Sequence, residues 1–531
     1  MRTFKMTFSK GLMAGLLTLV SICALAASQP ATNVSINIKL NEFAKARCNN
    51  GGAATYDYIL SQDIGAEDGV DYRKKWLVVL SGGGSCTNLK DCANRWNERN
   101  TGGYIHDDGP GDHFNMMPDL TARDFDTHGL LDFDGHPAQL TGNDVEVTAN
   151  PFRGTNGRDG FNRVWINYCS SDSWQGTGTK VPLSKKQRKY FKETNFDESD
   201  VNLKELYFGG AKIVDAVIAL IMQGQVESGG SKGTGNSDFI PDATHGEVVL
   251  AGSSAGGGGT VRNLDEVAYQ VRQKVDGVKV WGIPDATSAA NILPVKIEKG
   301  DNDMEAAKFY TNGRPALLRV DRDCFKDRKL NGQKTKDCYA KNTIVVRDEI
   351  STPYFVVQQA YDSVIHGSVK AMLVDIIKNK SEQWANFPLL SNAIAMFDDD
   401  PEQTAEAYIR FRMTKGADSF GSAKNNMAGL YIPNYNIGLH QLLTDSERFY
   451  TTPNRQWLNV QDSPDHPGSP QLGEQYDQTD VSLSTALTHF RECVLQYYGN
   501  ATIFNTCVTR DHANDVTRDA RVINTTAIPT P

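Results

Sequence analysis

The 531-residue sequence predicts an α/β sandwich, in which helices cover both faces of a mostly parallel central sheet. Runs of apolar and β-branched residues have the length of strands, at residues 75–82, 162–169, 247–252, 277–286 and 352–362. These runs are continuous rather than alternating, which is typical of strands that are buried on both faces. Helical patterns at 209–223 and 261–275 lie between them. This alternation of strands and helices indicates the α/β class.

The chain after residue 26 is expected to form a single domain. No repeat, charge run or low-complexity linker divides residues 27–531. The Gly- and Ser-rich segment 223–242 lies between a predicted helix and a predicted strand, so we interpret it as an insertion rather than a hinge. Together with segment 466–478, it is a candidate to shape the rim of a functional site.

Residues 1–26 predict a cleaved signal peptide. Three basic residues precede an apolar run from residue 11 to residue 26, which ends in the small-x-small pattern Ala24-Leu25-Ala26. A membrane anchor is the alternative, but this run is shorter than the roughly 20 residues that a spanning helix needs. The protein is therefore expected to be secreted or periplasmic, without a membrane span.

The charge balance bears on the partners of the protein. After removal of residues 1–26 the chain carries 52 Lys and Arg against 64 Asp and Glu, a net charge of −12. Nucleic-acid binding, which needs a basic face, is therefore not expected. No cofactor motif is found, and no metal site is expected. The acidic segment 124–135 leaves calcium as an alternative, although it lacks the glutamate that closes an EF-hand loop. We expect the protein to act as a monomer.

Eight cysteines follow residue 26, and an even number in an exported chain predicts four disulfides. Zinc binding is the alternative, but there is no CxxC pair and no histidine pair at ligand spacing. Short spacing suggests three pairs and leaves a fourth. The pairs are Cys86–Cys92, Cys324–Cys338, Cys493–Cys507 and Cys48–Cys169.

The segment VVLAGSSAGGGGTVRNLDEVA, residues 248–268, carries the clearest chemical signal. It has neither the lysine of a Walker phosphate loop nor the GxGxxG of a dinucleotide loop. Residues 252–256 read G-x-S-x-G between a predicted strand and a predicted helix, which is the setting of a nucleophile elbow. Flanking glycines let strand and helix approach closely, and the sharp turn exposes the serine hydroxyl. The pattern predicts Ser254 as a nucleophile, the alternative being an ordinary glycine-rich turn.

A nucleophilic serine needs a base and an orienting acid, and in α/β-hydrolases the acid and then the histidine follow it in the chain. Asp362 ends a predicted strand, where a sheet's carboxyl edge places catalytic side chains. His440 follows a turn-like segment, whereas His366 lies only four residues beyond Asp362 and is an awkward partner. The histidines after Ser254 are His366, His440, His466, His489 and His512.

A glycine triplet after the first long predicted strand, Gly82 to Gly84, is a candidate oxyanion loop. Two N–H groups must converge on one oxygen there, and side chains would obstruct them. The amide of Ala255, directly after Ser254, would supply the second donor. The alternative is that the triplet merely ends a strand.

Several segments of the chain resemble the pectin acetylesterase and Notum family of carboxylesterases. The similarity includes ARCNNGG, SGGGSC, YCSSDSWQG, AGSSAGGGG, TPYFVVQQAYDS, GLHQLL and TDVSLSTALTHFREC. These pieces extend from about Cys48 to Cys493, and their combination is more specific than any one of them. At Gly84 and Ser85 the chain has small residues where relatives carry aromatic ones.

The resemblance implies an α/β-hydrolase sandwich without metal or organic cofactor. It implies Ser254 as nucleophile, His440 as base and Asp362 as the acid that orients it. It also implies oxyanion donors from Gly83 or Gly84 and from Ala255, and the pairing of Cys48 with Cys169.

The function expected from these residues is a secreted serine esterase that removes acetyl groups from a polysaccharide such as pectin. Hydrolysis of longer acyl or non-sugar esters is the first alternative. The second is a carbohydrate-binding protein without catalysis. Trp174 could serve as a sugar platform or as a packing residue, and the sequence leaves both open.

Overall fold

The computed structural model describes a large part of the chain. It covers residues 34–64, 69–98, 125, 129–131, 133, 150–154, 160–191, 203–230, 235–286, 306, 308–314, 318–333, 335, 338, 350–358, 362, 370–379, 400–402, 404–405, 428–431, 441, 443 and 483–499. No helix within these ranges is both long enough and apolar enough to cross a membrane.

The strands of the described residues form one large and one small sheet. They are β1 Val34–Asn37, β2 Thr55–Ile59, β3 Lys75–Leu80, β4 Asn162–Ile166, β5 Thr179–Pro182, β6 Glu205–Phe208, β7 Glu247–Ser253, β8 Lys279–Asp285, β9 Tyr354–Val357 and β10 Ala428–Tyr431. The large sheet has the order β1-β2-β4-β3-β7-β8-β9-β10, and β5 pairs with β6 alone. In the large sheet β2 runs antiparallel to β1 and β4, and the remaining pairs are parallel.

Helices connect the strands and cover both faces of the large sheet. Those described are α1 Leu89–Glu98, α2 Lys185–Arg188, α3 Gly210–Ile221, α4 Ala255–Lys274, α5 Arg322–Leu330, α6 Ala371–Lys378 and α7 Leu483–Gly499. The predicted α/β sandwich with a mostly parallel sheet is therefore confirmed.

Burial on both faces explains the continuous apolar runs in the central strands. All six residues of β3 are buried, and their side chains alternate between two hydrophobic cores. Trp76 and Val78 contribute to the core that contains α3 and α4, whereas Leu77 and Val79 contribute to the core that contains α7. Alternate residues therefore meet different helices, and a polar residue at any position from Trp76 to Leu80 would lose buried apolar area.

Segment 223–242 lies between α3 and β7 as predicted, and two hydrogen bonds show where its described residues meet the sheet. The Trp76 Nε1–H donates to the Phe239 carbonyl at 2.8 Å, and the Tyr56 hydroxyl donates to the Val226 carbonyl. Trp76 lies at the start of β3, whereas Ser254 follows the carboxyl end of β7. The Trp76 contact therefore places Phe239 at the amino edge of the sheet, whereas Tyr56 is level with the carboxyl end of β3 because both pair with Ile166. A role of 223–242 at the rim stays a prediction, and segment 466–478 lies outside the described residues.

A buried ion cluster ties the last described helix to the sheet. Glu247, at the start of β7, accepts from Lys75 Nζ at 3.1 Å, from Trp281 Nε1 at 3.0 Å and from Arg491 Nη2 at 2.9 Å. Burial opposes its charge, but Arg491 and Lys75 hold the pKa of this carboxyl well below its usual range. Since Arg491 belongs to α7, the cluster links two elements that are distant in the chain.

Three disulfides are present in the described part of the chain: Cys48–Cys169, Cys86–Cys92 and Cys324–Cys338. Each agrees with the pairing predicted from the sequence. The fourth prediction, Cys493–Cys507, involves Cys507 and the side chain of Cys493, which lie outside the described residues. Cys48–Cys169 closes the longest of the three loops, over a sequence separation of 121 residues, and attaches the start of the described chain to the end of β4.

Candidate active site

Ser254 lies in a strained turn between β7 and α4. Its backbone angles are φ 56° and ψ −117°, in a region that residues with a side chain rarely adopt. Every other residue from Ala251 to Thr260 is buried, whereas Ser254 is partly exposed. The turn thus presents one hydroxyl at the carboxyl edge of the sheet, as the G-x-S-x-G pattern requires.

The glycines around Ser254 are needed because backbone segments meet there. A Cβ on Gly252 would lie 2.6 Å from the Gly256 carbonyl, and a Cβ on Gly256 would lie 2.0 Å from the Leu80 oxygen. Helix α4 begins at Ala255, six residues before the predicted start at 261. The sequence pattern missed this turn of helix because glycine is a poor helix former, and the close contact with β3 outweighs that preference.

The glycine triplet Gly82 to Gly84 lies beside Ser254. A Cβ on Gly82 would be 3.4 Å from the Ser254 Cβ and 3.1 Å from Gln441 Nε2. Gly83 and Gly84 have φ angles of 127° and 64°, which favour glycine, and Gly84 is exposed. The predicted oxyanion loop is therefore next to the predicted nucleophile, and Ala255 opens the helix on its other side.

Asp362 is a buried carboxylate near the carboxyl edge of the sheet. Its Oδ2 accepts from Gln358 Nε2 at 3.2 Å, and the residue is 1% exposed. Strand β9 ends at Val357, so Asp362 follows the strand rather than ending it as predicted. The sequence pattern extended the strand too far because Ala360 and Tyr361, which follow β9, are also apolar or aromatic.

His440 lies outside the described residues, as do the side chains of the other four histidines that follow Ser254. Two nearby residues are described. Gln441 approaches Gly82, and the Leu443 amide donates to Asp285 Oδ2 at 3.1 Å. Two residues that closely follow His440 in the sequence, Gln441 and Leu443, therefore lie beside the glycine loop and the nucleophile turn.

Sequence reasoning missed Asp285, the last residue of β8. Its Oδ2 accepts from Ser253 Oγ at 2.8 Å as well as from the Leu443 amide, and its carbonyl accepts from the Ser254 amide at 2.9 Å. Asp285 therefore contacts both the nucleophile turn and the segment after His440. The signal that could have identified it is the one used for Asp362, an acid that ends an apolar strand run.

A turn of non-glycine residues with positive φ supports the glycine loop from behind. Ser171, Ser173 and Trp174 have φ angles of 46°, 51° and 60°. The Trp174 Nε1–H donates to the Ser81 carbonyl at 3.1 Å, and the Cys86 amide donates to the Ser171 carbonyl at 3.0 Å. Trp174 is 0% exposed, so the sugar-platform alternative is wrong and the packing alternative holds.

Asp172 holds this turn together. Its carboxylate accepts from Ser170 Oγ at 2.7 Å and from three backbone amides, among them Gly210 at 2.9 Å. Gly210 is the first residue of α3, so the negative charge also faces the positive end of a helix. Burial raises the pKa of Asp172 to about 6, although these hydrogen bonds act in the opposite direction.

No cluster of metal-binding side chains occurs among the residues that the structure describes. The acids of segment 124–135, for which calcium is the alternative, lie outside those residues.

A strained, partly exposed serine between strand and helix, with a glycine loop beside it, is typical of α/β-hydrolases. The chain belongs to the pectinacetylesterase family, whose model it matches over residues 160–454.

Similar proteins include palmitoleoyl-protein carboxylesterases called NOTUM. The Drosophila melanogaster protein is 29% identical over 214 residues, 40% of this chain and 23% of that protein. The Homo sapiens protein is 25% identical over 270 residues, 50% of this chain and 38% of that protein. The match thus spans less than two fifths of the length of either relative.

Among solved structures, the Wnt deacylase Notum from Drosophila is similar over 87% of this chain and 93% of its own, with 20% identity and a TM-score of 0.47. A second crystal form of that protein has 19% identity and a TM-score of 0.48, and covers 88% of this chain and 95% of its own.

Proposed function

We propose that this protein is an exported serine carboxylesterase that hydrolyses acetyl esters on a polysaccharide such as pectin. The observation that carries the proposal is the strained, partly exposed Ser254 turn with the Gly82–Gly84 loop against it. Membership of the pectinacetylesterase family supports the ester bond and the acetyl group. The disulfides support export from the cytoplasm, with residues 1–26 removed.

In the proposed mechanism, His440 takes the proton from Ser254 Oγ as that oxygen attacks the ester carbonyl carbon. The amides of Gly84, or Gly83, and Ala255 bind the oxyanion that forms. The bond to the alcohol then breaks, and the alcohol leaves with the proton from His440. Water attacks the acyl-enzyme by the same steps, and Asp362 orients His440 and stabilises its cationic form.

The first test is covalent labelling of the nucleophile. A fluorophosphonate should label the peptide that contains Ser254, and Ser254→Ala should abolish both labelling and turnover of p-nitrophenyl acetate. Ser253→Ala is the matched control, because it removes the neighbouring serine hydroxyl and leaves the proposed nucleophile. Turnover near the wild-type rate in Ser254→Ala would exclude this mechanism.

The substrate is tested with p-nitrophenyl esters from acetate to palmitate, beside acetylated pectin and acetylated xylan. The small residues Gly84 and Ser85, which follow Gly82 in the loop beside Ser254, favour the acetyl group. A long acyl chain is the second candidate, because the similar proteins are named palmitoleoyl-protein carboxylesterases. Preference for acetate with release from one polymer supports the first candidate, and preference for long chains supports the second.

The acid of the triad is tested separately, since Asp285 as well as Asp362 is a buried carboxylate beside the segments that carry Ser254 and His440. Asp362→Asn should lower kcat by about 10⁴-fold, the loss expected when the orienting acid of a triad is replaced by its amide. Asp285→Asn should lower kcat far less, because an amide oxygen can still accept from Ser253 and Leu443. The reverse order would assign the triad acid to Asp285.

A further inference from the structure

The carbonyl oxygen of Gly83, in the middle of the glycine loop, is bound by an arginine. Arg95 lies in the last turn of α1, and its Nη2 donates to the Gly83 oxygen at 2.6 Å. Helix α1 begins at Leu89, shortly after the loop, and two contacts fix its start. Cys92 is bonded to Cys86, and the Thr87 amide donates to Asp91 Oδ2 at 2.7 Å.

This contact fixes an entire peptide plane. The peptide between Gly83 and Gly84 is trans, so the Gly83 C=O and the Gly84 N–H point in opposite directions. When Arg95 holds the oxygen on the side of α1, the Gly84 N–H must face away from α1. The direction of that N–H is therefore set by a side chain that does not itself need to contact the substrate.

The loop needs such an external constraint because it consists of consecutive glycines. Without a Cβ, Gly83 and Gly84 can adopt both signs of φ, so the plane between them can rotate at low cost. The Ser81 carbonyl, two residues before Gly83, is similarly held by Trp174 Nε1. A charged donor on Gly83 also makes a stronger hydrogen bond than a neutral one and polarises the peptide, which strengthens the Gly84 N–H as a donor.

We propose that Arg95 is a positioning residue of the oxyanion loop, which orients and polarises the Gly84 N–H for the transition state. The inference rests on the proposed function, because it takes Gly84 as an oxyanion donor beside Ser254. It predicts an effect on the tetrahedral intermediate and little effect on the bound ester. Removal of one oxyanion donor costs about 10²–10³-fold in kcat, so misorientation of one should cost about 10–100-fold.

The variants are Arg95→Gln and Arg95→Lys, with Arg47→Gln as the matched control. Arg47 Nη1 also donates to a glycine carbonyl, that of Gly51, at 2.6 Å, but in the loop after Cys48. Turnover of p-nitrophenyl acetate gives kcat and KM. A trifluoromethyl ketone forms a tetrahedral oxyanion with serine, so its affinity measures stabilisation of the transition state. The affinity for acetate measures ground-state binding.

Arg95→Gln should lower kcat by about 10–100-fold with KM changed less than about twofold, and should weaken the ketone in parallel while acetate binds as before. Arg95→Lys should recover most of the loss, because an ammonium can reach the same carbonyl. Arg47→Gln should resemble the wild type.

Wild-type kcat and ketone affinity in Arg95→Gln would overturn the inference. A loss seen only in KM would also overturn it. Where Arg95→Gln fails to fold, the comparison moves to Arg95→Lys, in which equal losses of ketone and acetate affinity would overturn it. Failure of the proposed function is distinguishable, because Ser254→Ala would then remain active or escape labelling with Arg95 intact.

Discussion

Replacing Asp285 by alanine should weaken the fold and the catalytic activity together. Its Oδ2 is the shared acceptor of the Ser253 hydroxyl and the Leu443 amide, at 2.8 and 3.1 Å. Both donors belong to buried residues, so water cannot replace the lost oxygen without opening the site. The change therefore leaves two buried donors, from two different segments, without this acceptor.

The magnitudes follow from counting these bonds. A buried donor left without an acceptor costs about 1–3 kcal/mol, so the loss of two acceptor contacts in Asp285→Ala should lower the free energy of unfolding by about 2–6 kcal/mol. Ser253→Ala removes one of the two bonds and should cost about 1–2 kcal/mol. For activity, Leu443 lies three residues after His440, and a shift of about 1 Å in a catalytic group costs about 10²-fold. Asp285→Ala should therefore lower kcat by about that factor.

The assay compares urea unfolding with kcat on p-nitrophenyl acetate for Asp285→Ala, Ser253→Ala and the double variant. Ser253→Ala keeps the Leu443 bond, so it should lose stability while kcat stays within about fivefold of the wild type, well short of the 10²-fold loss expected on displacement. The two changes should couple by about 1–2 kcal/mol in stability, because the residues are in contact. Equal losses of kcat in both single variants, or a wild-type kcat in Asp285→Ala, would refute the role given to the Leu443 bond.

Three further predictions concern the supporting structure. Gly256→Ala should cost about 3 kcal/mol of unfolding free energy, because its Cβ would lie 2.0 Å from a backbone oxygen of β3, whereas a Cβ on Gly258 would meet only an arginine side-chain end at 3.2 Å. Gly258→Ala should therefore be neutral or stabilising in urea unfolding, and equal losses at the two sites would contradict this. Burial raises the pKa of Asp172 to about 6 from an ordinary 3.8, so the stability contributed by its protonated form is complete below pH 3.8 and is lost as pH rises through 6. Relative to Asp172→Asn, wild-type unfolding free energy should fall by about 1.4 kcal/mol from pH 5 to pH 7.5, and no difference would exclude this titration. Arg491→Met should cost about 3–5 kcal/mol because its carboxylate partner stays buried, whereas Arg73→Met at the surface should cost under about 1 kcal/mol, and similar thermal shifts would contradict this.

Local patterns predicted the parts of the fold that depend on burial and close chain spacing. The strands β3, β4, β7 and β8 appear within a few residues of their predicted ends, because each has a continuous apolar run at its centre. The Ser254 turn was predicted because G-x-S-x-G has a steric reason, which the contact of Gly256 with Leu80 bears out. The three described disulfides also agree with prediction.

Other features depend on which strands become neighbours, and a single sequence does not show this. Asp285 gains its role because β8 pairs with β7 so that Asp285 lies opposite Ser253. The position of segment 223–242 against the sheet is another such feature, because loop composition gives no direction. The early start of α4 was missed because four consecutive glycines have a low intrinsic helix propensity. In the structure their small size lets α4 pack closely against the neighbouring backbone.

The contacts behind the glycine loop explain why the Asp172 carboxylate is buried. Its hydrogen-bond donors are a hydroxyl and three backbone amides, none of them a cation. A loop without side chains cannot fix its own shape, so its carbonyls must be held by neighbouring residues. Ser171 and Trp174 do this from a turn whose positive φ angles each cost roughly 1–3 kcal/mol. The Asp172 carboxylate offsets that cost by accepting four hydrogen bonds at the start of α3. Asp172 is therefore better explained by the shape of the site than by a gain in stability, since an apolar side chain could fill its volume but could not hold the turn.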